Sequence, residues 1–574
     1  MKKIIILISI LAIALIFIFI NNNREKEYEI SKVDEIVINE TDIIEEISFD
    51  SMEVYNAELN DTYKITNEGV YNLTGSIENG QIYIDTKGYV KLILDNVNIN
   101  NNNGPAIMIS NSKTTYIELK GENYLSDSDT YELDENNEPD GCLFSKDNLV
   151  IMGSGKLVID ANYLDGIVVK DNLKIIDGIY EINANDDGIR AKDSLIIENG
   201  EFIINTKGDG IKSTNDNDTN LGYINIYNGT FKINSNKDGI QAETDILIKD
   251  GNFDVKTDSE TETINYLSNY NEESIKAIKA VNNIVIENGN FSIESENDSI
   301  HSNKYLGIKN GTFTINSSDD GIHADSEIII DGGIINIKKS YEGIEAESIT
   351  INGGDISVTS TDDGLNANGG NDLSSFNRRG ANKFNDSGNS KITINNTNMY
   401  INASGDGIDA NGNIYINGGT IIINGPTNSG NSALDYDKEF CITSGLFIAS
   451  GSSGMAQSAS SSSTQNTVMI NFDNTIEEND IISIKNNGNE ILTYKSSKDF
   501  QSVVISSPNL EKNETYEIYI NVDTLANEEN GLYELGGIVS ETLYETFKIN
   551  SVITNVGDSF NQFGNPGNMY KPRR

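Results

Sequence analysis

Apolar and polar residues alternate along most of this chain in short runs, three runs to a unit, and the unit returns. In the stretch DGIRAKDSLIIENGEFII, Asp187 to Ile204, Ile189 and Ala191 alternate with polar neighbours. A polar turn, Leu195 and Ile197, an Asn-Gly turn and then Phe202 and Ile204 follow. Period-2 alternation predicts strands with half their side chains inward, and the intervening Asn, Asp and Gly predict turns. An Asp-Gly-Ile triplet or close variant marks the phase at Asp165, Asp187, Asp209, Asp238, Asp298, Asp320, Asp363 and Asp406, most steps being about 22 residues. A unit this small cannot bury its own Ile, Ala and Phe, so successive units must stack strand on strand, ~4.8 Å apart. The expected fold is all-β: a right-handed parallel β-helix with about 22-residue coils over residues 49–450. A sandwich or barrel of hairpins also has closely spaced strands, but it would not keep a triplet at constant phase.

Breaks in the period locate insertions. STNDNDTNLG lengthens the step from Asp209 to Asp238, TDSETETINYLSNYNEES precedes Lys276, and the excursion from Asn368 to Ser390 carries Arg378 and Arg379. Such inserts are expected as loops on the outside of a solenoid. Gly69 to Ser126 keeps the strand rhythm without the triplet and should form the first coils. Residues 451–466 are Ser-rich and read as a flexible linker to a small β-module or cap over 467–550, with a loose tail at 551–574. At the other end Lys2 and Lys3 precede the apolar run Ile4 to Ile20, which reads as a signal peptide or membrane anchor over 1–20. Residues 21–48 then read as a linker, and the rest of the chain as extracellular or at the cell surface.

The 574 residues hold 41 Lys and Arg against 88 Asp and Glu, a formal charge of −47. That balance excludes nucleic acid and anionic lipid as partners and favours cations. Regular apolar runs separate the chain from acidic disordered sequences. Cys142 and Cys441 read as small core residues, and a monomer is expected.

Stacking turns phase into columns. Two carboxylates ~4.8 Å apart repel by about 0.9 kcal/mol in water and ~3.5 kcal/mol at an intermediate dielectric, a cost that Ca2+ between them would remove. The candidate metal ligands are Asp186, Asp187, Asp209 and Asp238, with Asp216 and Asp218 nearby. A second group is Asp298, Asp319 and Asp320, and a third is Asp362, Asp363 and Asp406. The position after the triplet's Ile forms another column, expected to face outward: Val168, Arg190, Lys212, Gln241, Lys279, His301, His323, Glu345, Asn366 and Asp409. It reads either as a solvated strip or as a row of donors for an extended sugar chain, with Arg190, Lys212, Lys279, His301 and His323 as the carbohydrate-binding candidates. No Ser-His-Asp arrangement is readable, and opposed carboxylates cannot be singled out among so many acids. The one enzymatic alternative is calcium-assisted β-elimination of a uronate polymer with Arg190 or Lys212 as base. A structural surface rod or adhesin is the other alternative.

GVYNLTGSIENGQIYI, SKDNLVIMGSGKLVIDANYLDGI, DDGIRAKDSLIIENGEFIINTKGDGIKST and VVISSPNLEKNETYEIYI are the runs that carry a family resemblance. In them the chain resembles secreted clostridial-type carbohydrate-binding parallel β-helix proteins, which bind cellulose and polygalacturonate and are akin to pectate lyases. The resemblance implies calcium on the helix, held by Asp of the DDGI and GDGI segments, and binding rather than lysis. The triplet is replaced at Lys276-Ala277 and altered at Glu342, which interrupts the row of aspartates. Trp is absent, so stacking on flat cellulose would fall to Tyr.

Overall fold

A computed structural model of the chain describes residues 32–42, 44–45, 47–258, 274–367 and 390–557. The apolar run Ile4 to Ile20, the insert with Arg378 and Arg379, most of the insert before Lys276 and the tail from 558 lie outside the described residues. Among the described residues the chain is strand and turn except for one 3-10 turn, Val33–Glu35. No helix there is long and apolar enough to cross a membrane.

The alternating runs form three strand columns of a β-solenoid. Ile189–Ala191 pairs in parallel with Asp165–Val169 and Ile211–Ser213, and Ser194–Ile197 pairs with Asn172–Ile175 and Tyr223–Ile226. Glu201–Thr206 likewise lies between Ile179–Ala184 and Thr230–Ser235. Inserts do not disturb this register, since Ile211 still pairs with Ile240 and Ile240 with Ile278. The strands on either side of each insert keep the same position in the stack.

Inward residues of equal phase lie on one another. Tyr180, Phe202, Phe231, Phe253, Phe291 and Phe313 form a buried ring ladder with centroids 4.6–4.8 Å apart and planes within 6°. That distance is the strand spacing itself, so the backbone sets the stack. The glycine of the Asn-Gly or Asp-Gly turn before each ring is required by the packing: Gly200 has φ +145°, and a Cβ there would lie 2.8 Å from the Phe202 ring.

Two segments depart from the sequence reading. Residues 32–48 are not a free linker along the part described. They run along the outer side of the second strand column, where Val33, Ile36 and Ile38 cover Leu247, Val285 and Ile329, and Ile44 and Ile47 pack with Tyr116 and Val150. Lys174 holds Asp42 at 2.7 Å and Lys309 holds Asp34 at 2.8 Å. The cause is an apolar outer strip on that column, visible in runs such as ILI at Ile246, which a half-buried strand would not carry.

The Ser-rich stretch 451–466 is also no flexible linker. It lies against the last coil, where Ser460 N–H donates to the Phe440 carbonyl at 2.7 Å and Thr464 N–H to the Ile442 carbonyl at 3.1 Å. Small hydroxyl side chains let it approach and close the open edge of the strand Glu439–Ile442. The following residues continue the wall. Phe500–Ser506 pairs antiparallel with Leu446–Gly451 and Thr467–Ile476, while six further strands form a second sheet. Its core takes in Ile422 and Ile448 from the outer face of the last coils.

Candidate functional site

Each triplet aspartate sits at the turn entering the first strand of a coil, and one of its oxygens is occupied structurally. Asp165 Oδ1 accepts the Asp187 N–H at 3.0 Å, Asp187 Oδ1 accepts the Asp209 N–H at 2.8 Å, and Asp209 Oδ1 accepts the Asp238 N–H at 2.9 Å. Asp298 and Asp363 repeat this with the N–H of Asp320 and Asp406, at 3.2 and 2.6 Å. A buried N–H left without a partner costs about 1–3 kcal/mol, so this ladder gives every copy of the triplet a structural reason. The second oxygen remains for other chemistry.

In the first half of the column that oxygen meets a cation. Arg190 donates through Nε to Asp165 Oδ2 at 2.8 Å and through Nη2 to Asp140 Oδ2 at 2.7 Å. Lys212 is bonded to Asp209 and lies 3.9 Å from Asp187, and Lys279 lies 3.5 Å from Asp238. Lys276, which stands where the triplet's Asp is missing, reaches Asp298, and His301 Nδ1 lies 2.7 Å from the same carboxylate. The interruption in the aspartate row therefore supplies a counter-charge.

The column after Ile faces away from the core, as alternation predicts, but it is not a freely solvated strip. Each side chain is sandwiched between its equivalents on adjacent coils and flanked by the turn aspartates, so Gln241, Glu345 and Asn366 are buried and His323 has no exposure at all. His301 and His323 stack with centroids 4.6 Å apart. Arg190, Lys212, Lys279 and His301 keep partial exposure, but their charged or polar ends are turned onto the acids. Asp216 and Asp218 stay in their own loop, where Asp218 Oδ1 caps the Asn220 N–H at 3.0 Å.

From Asp320 onward the balance reverses. Among the described residues no Lys or Arg forms an ion pair with Asp320, Glu342, Glu345, Asp363, Asp406 or Asp409. Asp363, Asp406 and Asp409 each bring one oxygen within 4.8 Å of the other two, and all three are partly exposed. Beside them Asn366, paired with Asp409 in register, has a buried Oδ1 with no hydrogen-bond partner. Burial first, then neighbouring Asp435 and Asp406, pushes Asp409 up to about 7, and burial pushes Asp406 up to about 6. Asp363 is raised by burial and by Asp362, Asp409 and Asp406. A set of partly exposed oxygens that resists carrying its charges, beside an orphaned amide oxygen, fits a hard divalent ion.

The other predicted ligands are placed differently. Asp186 joins Asp165 and Asp187, and Asp319 joins Asp298 and Asp320, each set within 4.8 Å. In the first set Arg190 already holds Asp165, and in the second Lys276 and His301 hold Asp298. Burial would raise Asp298, but the His301 hydrogen bond and Lys276 hold it below the usual carboxylate range. Asp140, Asp325 and Asp435 were not singled out in the sequence because they lie off the triplet phase. Glu345 and Asp409 stood in the second column and carried an acidic signal there.

The model of a family described as carbohydrate-binding domain-containing protein matches residues 59–321 and 317–364, more than half of the chain. A carbohydrate-binding domain-containing protein of Acetivibrio thermocellus is 35% identical over 127 residues, 21% of this chain and 44% of that protein. The match thus spans under half the length of that relative. Among solved structures, the gadolinium derivative of a polysaccharide lyase-like protein from C. thermocellum is 30% identical. That likeness covers 35% of this chain and 88% of the other, with a TM-score of 0.33.

Proposed function

The chain belongs to the family of carbohydrate-binding domain-containing proteins, and from that premise we propose that it is an extracellular, calcium-dependent polysaccharide-binding protein that does not cleave its ligand. The fold is taken as the right-handed β-helix, the hand that parallel crossovers prefer. An acidic polymer such as polygalacturonate is the expected ligand, with cellulose second because the chain has no Trp. The basic start and the apolar run Ile4 to Ile20 support export or anchoring at the cell surface.

The observation that carries the reading is the convergence of Asp363, Asp406 and Asp409 without a Lys or Arg ion pair among the described residues. These carboxylates would hold the ion, and Asn366 Oδ1 stands next to them to complete its oxygen shell. When bound, calcium supplies positive charge at a partly exposed point of a strongly acidic molecule, where a uronate carboxylate can join the ligands. Arg190 and Lys212 support binding over lysis. Burial would lower Lys212, but Asp209 and Asp187 raise it above the usual lysine value, and Asp165 and Asp140 keep Arg190 charged. A base must give up that proton first.

The test is incubation of the purified chain with polygalacturonate and calcium. Retention on the polymer without ultraviolet-absorbing unsaturated product, reversed by chelation, is the expected result. Unsaturated product that disappears in Lys212→Ala or Arg190→Ala would establish a lyase instead. Neither retention nor product would leave a calcium-stiffened surface rod.

A further inference from the structure

Where the column passes from its basic half to its acidic half, an imidazole stands among carboxylates. His323 is fully buried, as is Asp320, and Glu345 is 6% exposed. His323 Nδ1 lies 3.1 Å from Asp320 Oδ2 and 2.9 Å from Glu345 Oε2. One ring nitrogen carries at most one proton, so it cannot donate to both oxygens. The Glu345 oxygen lies off hydrogen-bond geometry and accepts no hydrogen bond, although it is buried and close to the ring nitrogen. Across the ring, Nε2 lies 3.2 Å from Asp325 Oδ1. Glu342, buried one coil on from Asp320, adds another acid, its Oε2 held by the Asn366 amide at 2.7 Å.

We propose that Asp320, His323 and Glu345 hold a divalent transition-metal ion of the zinc class, separate from the calcium proposed at Asp363, Asp406 and Asp409. The nitrogen and the two carboxylate oxygens lie within 4.8 Å of one another, and a small ion bonded at ~2.0–2.2 Å to each fits among them. Imidazole selects zinc and its neighbours over calcium, which prefers an all-oxygen shell. Asp325 on the far nitrogen completes a carboxylate–histidine–metal arrangement, fixing the tautomer that leaves Nδ1 free to bind. The ion satisfies the stranded Glu345 oxygen and offsets two buried negative charges at once. Full burial makes the site structural: it would fill as the coils close and tie the coil of Asp320 and His323 to that of Glu345. The inference does not rest on the polysaccharide reading.

The test uses the full chain, unfolded in a strong chelator and refolded with excess calcium and one equivalent of either Zn2+ or Co2+. Calcium at saturation keeps failure here distinct from failure of the calcium reading. The expected result is one tightly held equivalent of either metal, with imidazole scattering in the zinc X-ray absorption spectrum of the unmutated chain. Glu345→Gln and His323→Ala should each lose that equivalent while calcium binding persists, and Asp325→Asn should weaken it about 10–100-fold, as loss of an outer partner does. His301→Ala should retain it. No zinc or cobalt held above the calcium background would overturn the proposal, leaving His323 as an imidazolium counter-charge. A bound metal without an imidazole signal, or one undiminished in Glu345→Gln, would overturn it equally.

Discussion

At the scale of the residue, the triplet aspartate has two separable duties. Asp209 Oδ1 receives the N–H of Asp238 on the next coil, while Oδ2 holds Lys212. Asp209→Asn keeps an acceptor for the N–H and removes only the charge. Asp209→Ala strands both the N–H and a half-buried ammonium, so it should cost about 3–5 kcal/mol, and the Asn variant clearly less. Urea unfolding of the two variants measures the difference, and equal costs would mean that the N–H ladder contributes nothing. The aspartate column was readable in the sequence because the triplet keeps its phase. Its counter-ions were not, because Arg190, Lys212 and Lys276 reveal their partners only once the direction of each side chain is known.

At the scale of the element, the strand is the unit and the ring ladder its seam. Phe231 is stacked between Phe202 and Phe253 at 4.8 Å on each side and is buried. Phe231→Ala should therefore destabilise the chain by about 3–5 kcal/mol, and Phe231→Leu by less, as read from denaturant midpoints with an unchanged slope. A cost near zero would mean that the ladder relaxes by sliding coils. Strand identity and phase were legible, since Phe202, Phe231 and Phe253 recur at one place in the repeat. The strap over 32–48 was not, because its few apolar residues, such as Val33 and Ile44, have no period and gain meaning only against the outer strip they cover.

At the scale of the whole molecule, charge is divided along the rod, with acids matched by Arg and Lys up to Asp298 and unmatched beyond it. Asp406 and Asp409 have folded values raised to about 6 and about 7, above those of an unfolded chain. The folded form thus binds more protons across that window, and their contribution to stability is present at about pH 4 and lost as pH rises through about 7. Asp298, held low, acts in the opposite sense only in stronger acid. The calcium-free chain should unfold at a higher temperature at pH 5 than at pH 8, and calcium should raise the unfolding temperature more at pH 8. Calorimetry that finds no such crossover would remove the cation from the acidic half. The sequence alone determined the coil, the inward residues and the aspartate row, because a period of two inside a longer fixed period leaves only one way to bury the Ile and Phe. Tertiary structure decided which acids are neutralised, that His323 and Glu345 are buried, and that residues 32–48 and 451–466 are part of the rod. Those outcomes depend on which side chains of different coils meet, and such distances have no counterpart in sequence spacing.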